Sequence, residues 1–467
     1  MTDRTGSGAP PLDLSSPQRI HVVGAGGAGM SAIASVLAAM GHTVSGSDVR
    51  GSPSLERLRA AGASVVVGHR GDNVGQVDAV AVSSAVGRSN PEVVAATERG
   101  IPVLSRADIL AAICATRRTV AVAGTHGKTT TASMLSLVLV EAGIQPSFII
   151  GGELNEIGTG AVWDSGEWLV VEADESDGTF LRLNPEAAVL TSVEPDHLEY
   201  HGSFEALVAN FDRFLGSVTG PRAVCADEPT AAGLSAAEGA STYGTSAHAR
   251  YRMVAIERSR ARTSFDLELE GQSLGRLQVS VPGLHNARNA AGATAIALSL
   301  GARFEHAQRA LARFAGVARR FQFRGSERGV SFVDDYAHLP GEVTAALSTA
   351  ADGGWERVVC VFQPHRYSRT ATLWADFADA FVAADLVVVC DIYSAGEEPR
   401  PGITGELVAR AVTEAHPAAN VVYLGTRPEV VEFLSATLTA GDVCLTLGAG
   451  DLTTLADELA TAWRGRD

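Results

Sequence analysis

The segment from Val120 to Thr131 constrains the fold of this chain more than any other. The apolar run Val120–Ala123 leads into the turn Gly124–Thr130, and the apolar periodicity that follows predicts a helix over 129–143. Such a turn presents backbone N–H groups at a helix N-terminus, where they can bind phosphate. The strict Walker pattern fails because its first glycine would fall at Val122. The sequence therefore predicts a shortened phosphate loop.

Lys128 lies in this loop and is the only lysine in the chain. All other positive side-chain charge comes from arginine, so the one compact ammonium is placed where a flexible cation can follow a phosphoryl group. The net charge of −16 argues against nucleic acid and anionic membrane as partners. We expect phosphate to be bound locally, by loop amides, Lys128, a few arginines and metal ions.

The length of 467 residues exceeds a single ordinary core, and strands alternate with helices along most of the chain. We predict an α/β protein of three domains with mainly parallel sheets: 19–113, 114–318 and 319–467, after a disordered tail over 1–18. Strands that alternate by two within 251–281 add antiparallel strands to the central domain. The five cysteines form no C-x-x-C pair, which predicts buried free thiols in a reducing cytoplasm. No uncharged apolar run approaches the length of a membrane span, so we expect no membrane insertion.

A second glycine-rich turn opens the first domain. Gly24, Gly26 and Gly29 match G-x-G-x-x-G between a predicted strand at Arg19–Val23 and a predicted helix over 32–40. Asp48 follows about twenty residues later, at the end of the next predicted strand, Thr43–Asp48. This pattern predicts a Rossmann-like domain that binds a diphosphate beside a ribose. It fits a nicotinamide dinucleotide or a nucleoside diphosphate linked to another group, and a purely structural turn is the remaining alternative.

Acidic and imidazole side chains follow two apolar strands of the central domain. Glu172, Asp174, Glu175 and Asp177 come after Trp168–Val171. His197 comes after the strand at 187–193. The carboxyl ends of parallel strands form the ligand crevice of such sheets, and carboxylates there can bind Mg²⁺ beside nucleotide phosphates. We predict a metal role for Glu172 and a second cation at His197, while a solvated acidic turn is an equal alternative for the other three acids.

Three further groups of polar residues stand at element boundaries. His285 and Asn289 share a helix face and could approach an adenine edge, although helix capping is an alternative, above all for Asn286. The segment 316–324 is interpreted as a domain boundary, and its arginine pair at 319–320 is either a solvated patch or a phosphate contact. In the last domain, strands end in polar clusters at Asp334–His338 and His365–Arg369.

Five ordered motifs of this chain together resemble the Mur ligases, ADP-forming enzymes that add amino acids to the peptidoglycan precursor. The motifs are Gly124–Thr130, Glu172–Asp177, Asp196-His197, His285–Asn289 and Asp334–His338. Further stretches resemble the alanine-adding branch of that family: Gly24–Ile33, Gly46–Asp48, Arg319–Gln322, Phe362–Thr370 and Tyr393–Glu397. The family's branch that recycles a murein tripeptide is a near alternative.

The resemblance implies a fold, a reaction and a set of site residues. The three domains would be a Rossmann-like UDP-binding domain, a P-loop ATPase domain and a Rossmann-like amino-acid domain. The reaction would join L-alanine to UDP-N-acetylmuramate with ATP and Mg²⁺ or Mn²⁺, through an acyl phosphate, in a monomer or homodimer. Domains that each hold ligands at strand ends would close on each other.

The residues carried over from the family fall into four groups. Those implied in catalysis are Lys128, His126, His197 and Arg366. Those implied for ATP are Gly124, Thr125, His126, Gly127, Lys128, Thr129, Thr130, His285, Asn289, Arg320 and Asp334. Those implied for the substrates are Gly26, Gly27, Ala28, Gly29, Met30, Ser31, Asp48, Ser84, Tyr336, His338, Arg366 and Arg369. The implied metal ligands are Thr129, Glu172 and His197.

One residue departs from the family pattern. The strand end often reads D-D-Y-x-H-H-P, and here Leu339 replaces the second histidine. Any part that this histidine plays in the amino-acid pocket is therefore missing. Two other classes of function stay open on the sequence alone: a nicotinamide oxidoreductase built on the Gly24 turn, and a binding protein that takes up ATP without turnover.

Overall fold

The computed structural model describes residues 12–464 as an α/β protein with three mainly parallel sheets. The described chain forms two compact units. The first unit holds the chain up to Val254 together with Asp266–Leu277 and Arg288–Leu311. The second unit holds Ala255–Phe265, Gln278–Ala287 and the chain from Ala312 onward. Each of the three sheets is the base of one α/β layer structure, so the predicted α/β class with three sheet-based domains is confirmed.

The first sheet is parallel and lies in the first unit. Its strands are Arg19–Val23 (β1), Thr43–Asp48 (β2), Ser64–Val67 (β3), Ala79–Val82 (β4) and Val103–Ser105 (β5). The accompanying helices are Ala28–Ala39 (α1), Pro53–Ala60 (α2), Pro91–Glu98 (α3) and Arg106–Cys114 (α4). The strand order is β3-β2-β1-β4-β5, so β1 pairs with β2 on one side and β4 on the other. The turn after β1 thus lies where strand order reverses, the place where such sheets bind ligands.

The second sheet has ten strands. They are Arg118–Ala123 (β6), Ser147–Leu154 (β7), Thr159–Val162 (β8), Trp168–Glu172 (β9), Ala187–Leu190 (β10), Arg222–Cys225 (β11), Ser241–Gly244 (β12), Tyr251–Arg258 (β13), Thr263–Leu269 (β14) and Gln272–Val279 (β15). Its helices are Lys128–Glu141 (α5), Leu198–His201 (α6), Phe204–Gly216 (α7), Pro229–Ala232 (α8), Leu284–Ser299 (α9) and Phe304–Ala312 (α10). The order β15-β14-β13-β12-β11-β10-β6-β9-β7-β8 places β6 between β9 and β10.

The third sheet lies in the second unit. Its strands are Gln322–Glu327 (β16), Val330–Asp335 (β17), Arg357–Phe362 (β18), Leu386–Cys390 (β19), Val421–Leu424 (β20) and Asp442–Leu447 (β21). Its helices are Pro340–Ala351 (α11), Tyr367–Leu373 (α12), Glu406–Ala415 (α13), Arg427–Thr437 (α14) and Leu455–Arg464 (α15). The order is β16-β17-β21-β18-β19-β20, and β16 is antiparallel to β17.

The elements differ from the sequence-based expectations at several places. Helix α1 begins at Ala28, four residues before its expected start, because the chain turns helical directly after Gly27. The antiparallel hairpin β7–β8 was not predicted, and β16 lies partly in the segment interpreted as a boundary. Of the predicted tail, residues 1–11 lie outside the described residues, whereas Leu14 is buried in the core of the first unit.

The cysteines are buried, and this burial raises the pKa of their thiols. Cys114, Cys225, Cys360, Cys390 and Cys444 are all free and buried, as predicted. Loss of hydration disfavours a buried thiolate, and burial raises the pKa of Cys114 and Cys444 to about 12. Over residues 12–464, no helix combines the length and the apolar character that a membrane crossing requires.

Candidate active site

The phosphate loop joins β6 to α5 and is pressed against two neighbouring segments. Gly124 has φ +131, and a Cβ there would lie 2.8 Å from the Ser192 backbone nitrogen. Gly127 precedes α5 with φ +76, and a Cβ there would lie 2.6 Å from Asn289 Oδ1. Both positions need the left-handed backbone and the missing side chain of glycine. Asn289, predicted near an adenine, thus lies against this loop.

Lys128 folds back onto its own loop. Its Nζ donates to the carbonyl oxygens of Gly124 (2.7 Å) and Thr125 (3.2 Å) and to Glu175 Oε1 (2.9 Å). Burial alone would lower the pKa of Lys128, but the nearby carboxylates of Glu175, Asp174 and Glu172 raise it. The lysine therefore carries its charge in this loop, as a ligand of phosphate must.

Thr129 and Glu172 form the predicted metal pair. The Thr129 hydroxyl donates to both carboxylate oxygens of Glu172, at 3.0 and 3.1 Å, and the Gly151 N–H donates to Oε2 at 2.8 Å. A hydroxyl beside a carboxylate at a phosphate loop is the oxygen-rich environment that Mg²⁺ prefers. The pair fits the cation that the family resemblance implies.

A second group of possible cation ligands lies at the ends of β9 and β10. Glu175, Asp196 and His197 each offer one ligand atom, and these atoms lie within 4.8 Å of one another. His197 Nε2 lies 3.2 Å from Asp196 Oδ2, and Glu175 is 1% exposed. His197 was predicted as a cation ligand, but Glu175 and Asp196 were left out of the ligand set although both lie in the quoted motifs.

The rest of the loop contacts the segment after β10. The His126 backbone N–H donates to Ser192 Oγ at 3.0 Å, and its Nε2 lies 3.1 Å from Glu194 Oε2. Thr125 Oγ1 accepts from the Glu194 N–H at 2.9 Å. Thr130 is buried. The backbone and the ring of His126 are thereby fixed beside the loop.

The turn after β1 is built around Asp48. Gly24 has φ +80, and the Gly26 N–H donates to Asp48 Oδ2 at 2.9 Å. Helix α1 starts after Gly27 without a side-chain cap, which leaves its first turn suited to an anion. The other predicted residues here are Ala28, Gly29, Met30 and Ser31 in the first turn of α1, and the exposed Ser84 after β4.

In the second unit, Asp334 is a structural anchor. Its carboxylate is 1% exposed and accepts hydrogen bonds from Thr446 and Thr453, each at 2.8 Å. Arg319 Nε donates to it at 3.3 Å. Arg320, predicted to reach a nucleotide, has its guanidinium 5.2 Å from the Tyr336 ring centre. The sequence did not indicate that Arg319 would be the arginine bound to Asp334.

The predicted amino-acid pocket forms a cluster of aromatic and basic side chains in the second unit. His338 lies edge-on to the rings of Tyr336 and His365, with centroids 5.5 and 5.6 Å apart. His365 stacks on Tyr393 at 5.8 Å, and its Nδ1 lies 3.0 Å from Arg369 Nη1. His365 and Tyr393 were not predicted as site residues. The sequence placed His365 in a polar cluster at a strand end, and the signal for Tyr393 was its place in a family-like stretch.

Arg366 belongs to the same cluster and has an unusual backbone. Its φ is +71, and its backbone N–H donates to the Tyr393 carbonyl at 2.8 Å. Within residues 12–464, its Nε is buried and makes no hydrogen bond. Buried donors are normally satisfied, so a site for an anionic group such as a carboxylate is indicated here.

The start of α9 separates two interpretations made from the sequence. Asn286 lies within α9, and its Nδ2 donates to the Pro282 carbonyl at 2.7 Å, which joins the helix to the segment before it and is not the acceptor contact of a helix cap. His285 belongs to the second unit, next to Gly283.

Leu339, at the position where the family often has histidine, is 3% exposed and packs in an apolar core of the third sheet.

Comparisons with known proteins cover nearly the whole chain. Three family models match: the Mur ligase family catalytic domain over residues 19–118, the Mur ligase middle domain over 122–297, and the Mur ligase glutamate ligase domain over 319–450. A UDP-N-acetylmuramate–L-alanine ligase of Geotalea daltonii is 43% identical, covering 96% of this chain and 98% of its own. The ligase of the same name from Saccharopolyspora erythraea is 47% identical, covering 95% and 92%.

Solved structures give the same picture. The UDP-N-acetylmuramate–alanine ligase of Thermotoga maritima matches with a TM-score of 0.81 at 28% identity, covering 96% of this chain and 100% of its own. A murein peptide ligase of Psychrobacter arcticus matches with a TM-score of 0.70 at 24% identity, covering 95% and 98%. The second likeness shows the fold alone.

Proposed function

This chain belongs to the Mur ligase family, and we propose that it joins L-alanine to the lactyl carboxylate of UDP-N-acetylmuramate while ATP is converted to ADP and phosphate. Relatives of that name match over nearly full length. The structural observation that carries the proposal is the meeting of three groups at adjacent strand ends: the Lys128 loop after β6, Glu172 after β9, and Asp196-His197 after β10.

The chemistry follows from the poor reactivity of a carboxylate towards amines. The lactyl carboxylate attacks the γ-phosphorus of ATP, the bond to the bridging oxygen breaks, and ADP leaves. The amine of L-alanine then attacks the acyl phosphate, loses a proton, and displaces inorganic phosphate from the tetrahedral intermediate. The protein positions the reactants and neutralises charge, as enzymes of phosphoryl transfer do.

The residues of the first unit supply much of this neutralisation. We assign Lys128 to the terminal phosphates and Thr129 with Glu172 to Mg²⁺, which would offset phosphate charge when bound. His197 would hold a second cation with Glu175 and Asp196. The Gly24–Ser31 turn would bind the UDP diphosphate, with Asp48 at the ribose.

The remaining assignments concern the adenine and the amino acid. Asn289 and His285 would approach the adenine, and Arg320 the nucleotide. The cluster around His338 and Arg366 would bind the carboxylate of L-alanine. The domain limits 19–113, 114–318 and 319–467 and a cytoplasmic location remain part of the proposal.

One assay panel tests this function. ADP release should require UDP-N-acetylmuramate and L-alanine together, with Mg²⁺ present. Equal activity with a murein tripeptide in place of L-alanine would favour the recycling branch of the family. ATP binding without ADP release under every substrate combination would indicate a binding protein, and bound NAD(H) absorbance an oxidoreductase.

A further inference from the structure

Arg106 is a basic residue that connects the two glycine-rich turns of the first unit. It is the first residue of α4, directly after β5. Its Nη1 donates to Asp174 Oδ2 at 2.9 Å and lies 3.7 Å from Asp177 Oδ2. Both acids belong to the strand end that follows β9. One edge of the guanidinium therefore contacts the acidic segment after β9, beside the proposed ATP site.

The other edge of the same guanidinium faces the turn after β1. A Cβ built on Gly29, the second residue of α1, would lie 3.2 Å from Arg106 Nε and 3.7 Å from its Cζ. Glycine at this position is what lets the side chain come so close. Among the described residues, the hydrogen bonds of Arg106 run from Nη1 alone. Its Nε and Nη2 form a fork of the geometry that binds phosphate in a bidentate manner.

The turn after β1 lacks a positively charged side chain of its own, and Arg106 can supply one. The Gly24–Ser31 segment contains no lysine or arginine, yet the proposed function places a diphosphate on it. Backbone amides and a helix N-terminus supply only partial charges. Arg106 is 24% exposed at its side chain, so a ligand at the turn can reach it without unfolding α4.

We propose that Arg106 is a binding residue for the diphosphate of the UDP-linked substrate, held in place by its pairing with Asp174. This inference rests on the proposed function and deepens it. Asp174 also lies in the field of Lys128, and burial of Asp174 is outweighed by Lys128 and Arg106, which together lower its pKa. Arg106 thereby links the acceptor turn electrostatically to the phosphate loop.

Binding of UDP and of uridine to the full-length chain, followed by ligand-observed NMR, tests this role. Uridine keeps the base and ribose but lacks both phosphates. R106Q should lower the affinity for UDP about tenfold or more, the size of a lost charge-assisted hydrogen-bond pair. Its affinity for uridine should stay within about twofold. R106K, which keeps the charge without the fork, should give an intermediate loss and serves if R106Q is poorly folded.

Two further variants separate phosphate binding from a merely structural ion pair. D174N removes the partner that positions Arg106 but keeps the guanidinium, so the affinity for UDP should fall less than in R106Q. R182Q is the matched control. Arg182 also pairs with an acid near Arg106, since its Nη2 lies 2.5 Å from Oδ1 of Asp108, which is on α4. R182Q should leave UDP affinity unchanged.

The inference is overturned if R106Q binds UDP within about twofold of the unchanged protein, if R106Q and D174N weaken UDP equally, or if R106Q weakens uridine as much as UDP. These outcomes leave the proposed function standing, because the unchanged protein would still bind UDP. Failure of the unchanged protein to bind UDP, or to release ADP with both substrates, would instead overturn the proposed function.

Discussion

Lys128 Nζ lies 2.8 Å from Glu175 Oε2, so the single lysine is paired with a carboxylate that also belongs to the candidate cation cluster. The side chain of Glu175 is 2% exposed and that of Lys128 is 13% exposed, so each charge would be costly to hold there alone. In the proposed function, phosphate would therefore compete with Glu175 for the lysine. Glu175, Asp196 and His197 would hold a cation there, and its positive charge would balance the Glu175 carboxylate when Lys128 binds phosphate.

Removal of this lysine tests the phosphate loop. K128A should lower ADP release about a hundredfold or more, because a positioned charge at the transferred phosphate is lost. K128R should also be strongly impaired, since a planar guanidinium cannot take the same buried position. Arg309, whose Nε lies 2.6 Å from Glu141 on the outside of the unit, supplies the control R309A. A near-normal rate in K128A would refute the assignment.

The pairing of Thr129 with Glu172 predicts a change in metal requirement. E172Q removes a charged oxygen ligand and should raise the Mg²⁺ concentration for half-maximal activity about tenfold or more. T129V should act in the same direction. Metal titrations of ADP release measure the effect. E167Q, which changes the exposed Glu167 that pairs with Arg118, should titrate like the unchanged enzyme, and an unaltered titration in E172Q would exclude the metal role.

The fit of the loop against β10 makes Gly124 hard to replace. G124A combines a φ of +131 with a Cβ 2.8 Å from the Ser192 nitrogen, so the loop must move. We expect a loss of unfolding free energy of about 1–3 kcal/mol and a weaker affinity for ATP. Gly51, where a Cβ meets nothing within 4 Å, gives the control G51A. Thermal unfolding and ATP titration of both variants decide the point.

A buried carboxylate in the first sheet predicts acid sensitivity. Glu92 is fully buried and accepts from Ser47 Oγ at 2.5 Å and His69 Nδ1 at 3.1 Å. Burial would raise its pKa, but hydrogen bonds from His21, Ser47, Asn73 and Arg70 lower the pKa to about 2. The unfolded value is near 4.5. The stabilisation is therefore complete above pH 4.5 and is lost as the pH falls toward 2.

The variant E92Q measures this contribution. It should lower the unfolding free energy by about 3 kcal/mol at pH 7, and the difference from the unchanged protein should shrink below pH 4.5. Urea unfolding at several pH values gives both quantities. E98Q, at an exposed position of the same helix α3, is the control. A difference that does not depend on pH would show that the charge of Glu92 is not the cause.

Arg366 offers a test confined to the second unit. R366A should raise the KM for L-alanine about tenfold or more, since it removes a buried donor suited to a carboxylate. The KM for ATP should change little. R400A, at an exposed position, should leave both constants unaltered. A larger effect on ATP than on L-alanine would move Arg366 out of the proposed amino-acid pocket.

The sequence predicted those parts of the fold and site that local patterns determine. Strands β1 and β2 have the expected bounds, Arg19–Val23 and Thr43–Asp48, because apolar runs end at glycine turns. Lys128 and Glu172 follow directly from a strand-turn-helix pattern and a strand end. What stayed hidden depends on strand order, since β6 lies between two strands that come after it in the chain.

Arg106 and Glu175 are two residues whose positions could not be predicted from local sequence patterns. Arg106 meets Asp174 across sixty-eight residues of chain, and no local pattern marks the first arginine of a helix as a ligand contact. Glu175 was one of three acids for which exposure was an equal alternative, yet it is 1% exposed because Lys128 neutralises it. His365 and Tyr393 likewise meet only through the pairing of their loops.

The buried thiols have a practical consequence. A thiol reacts with alkylating reagents as the thiolate. All five thiols are buried, and the pKa of Cys114 and of Cys444 is about 12, so the folded protein exposes almost no thiolate to a reagent. Labelling must therefore await local opening. Cys114 and Cys225 lie in the first unit, and Cys360, Cys390 and Cys444 lie on three strands of the third sheet. The rate at which each native cysteine is alkylated therefore reports local opening of the unit that contains it, and no cysteine has to be introduced.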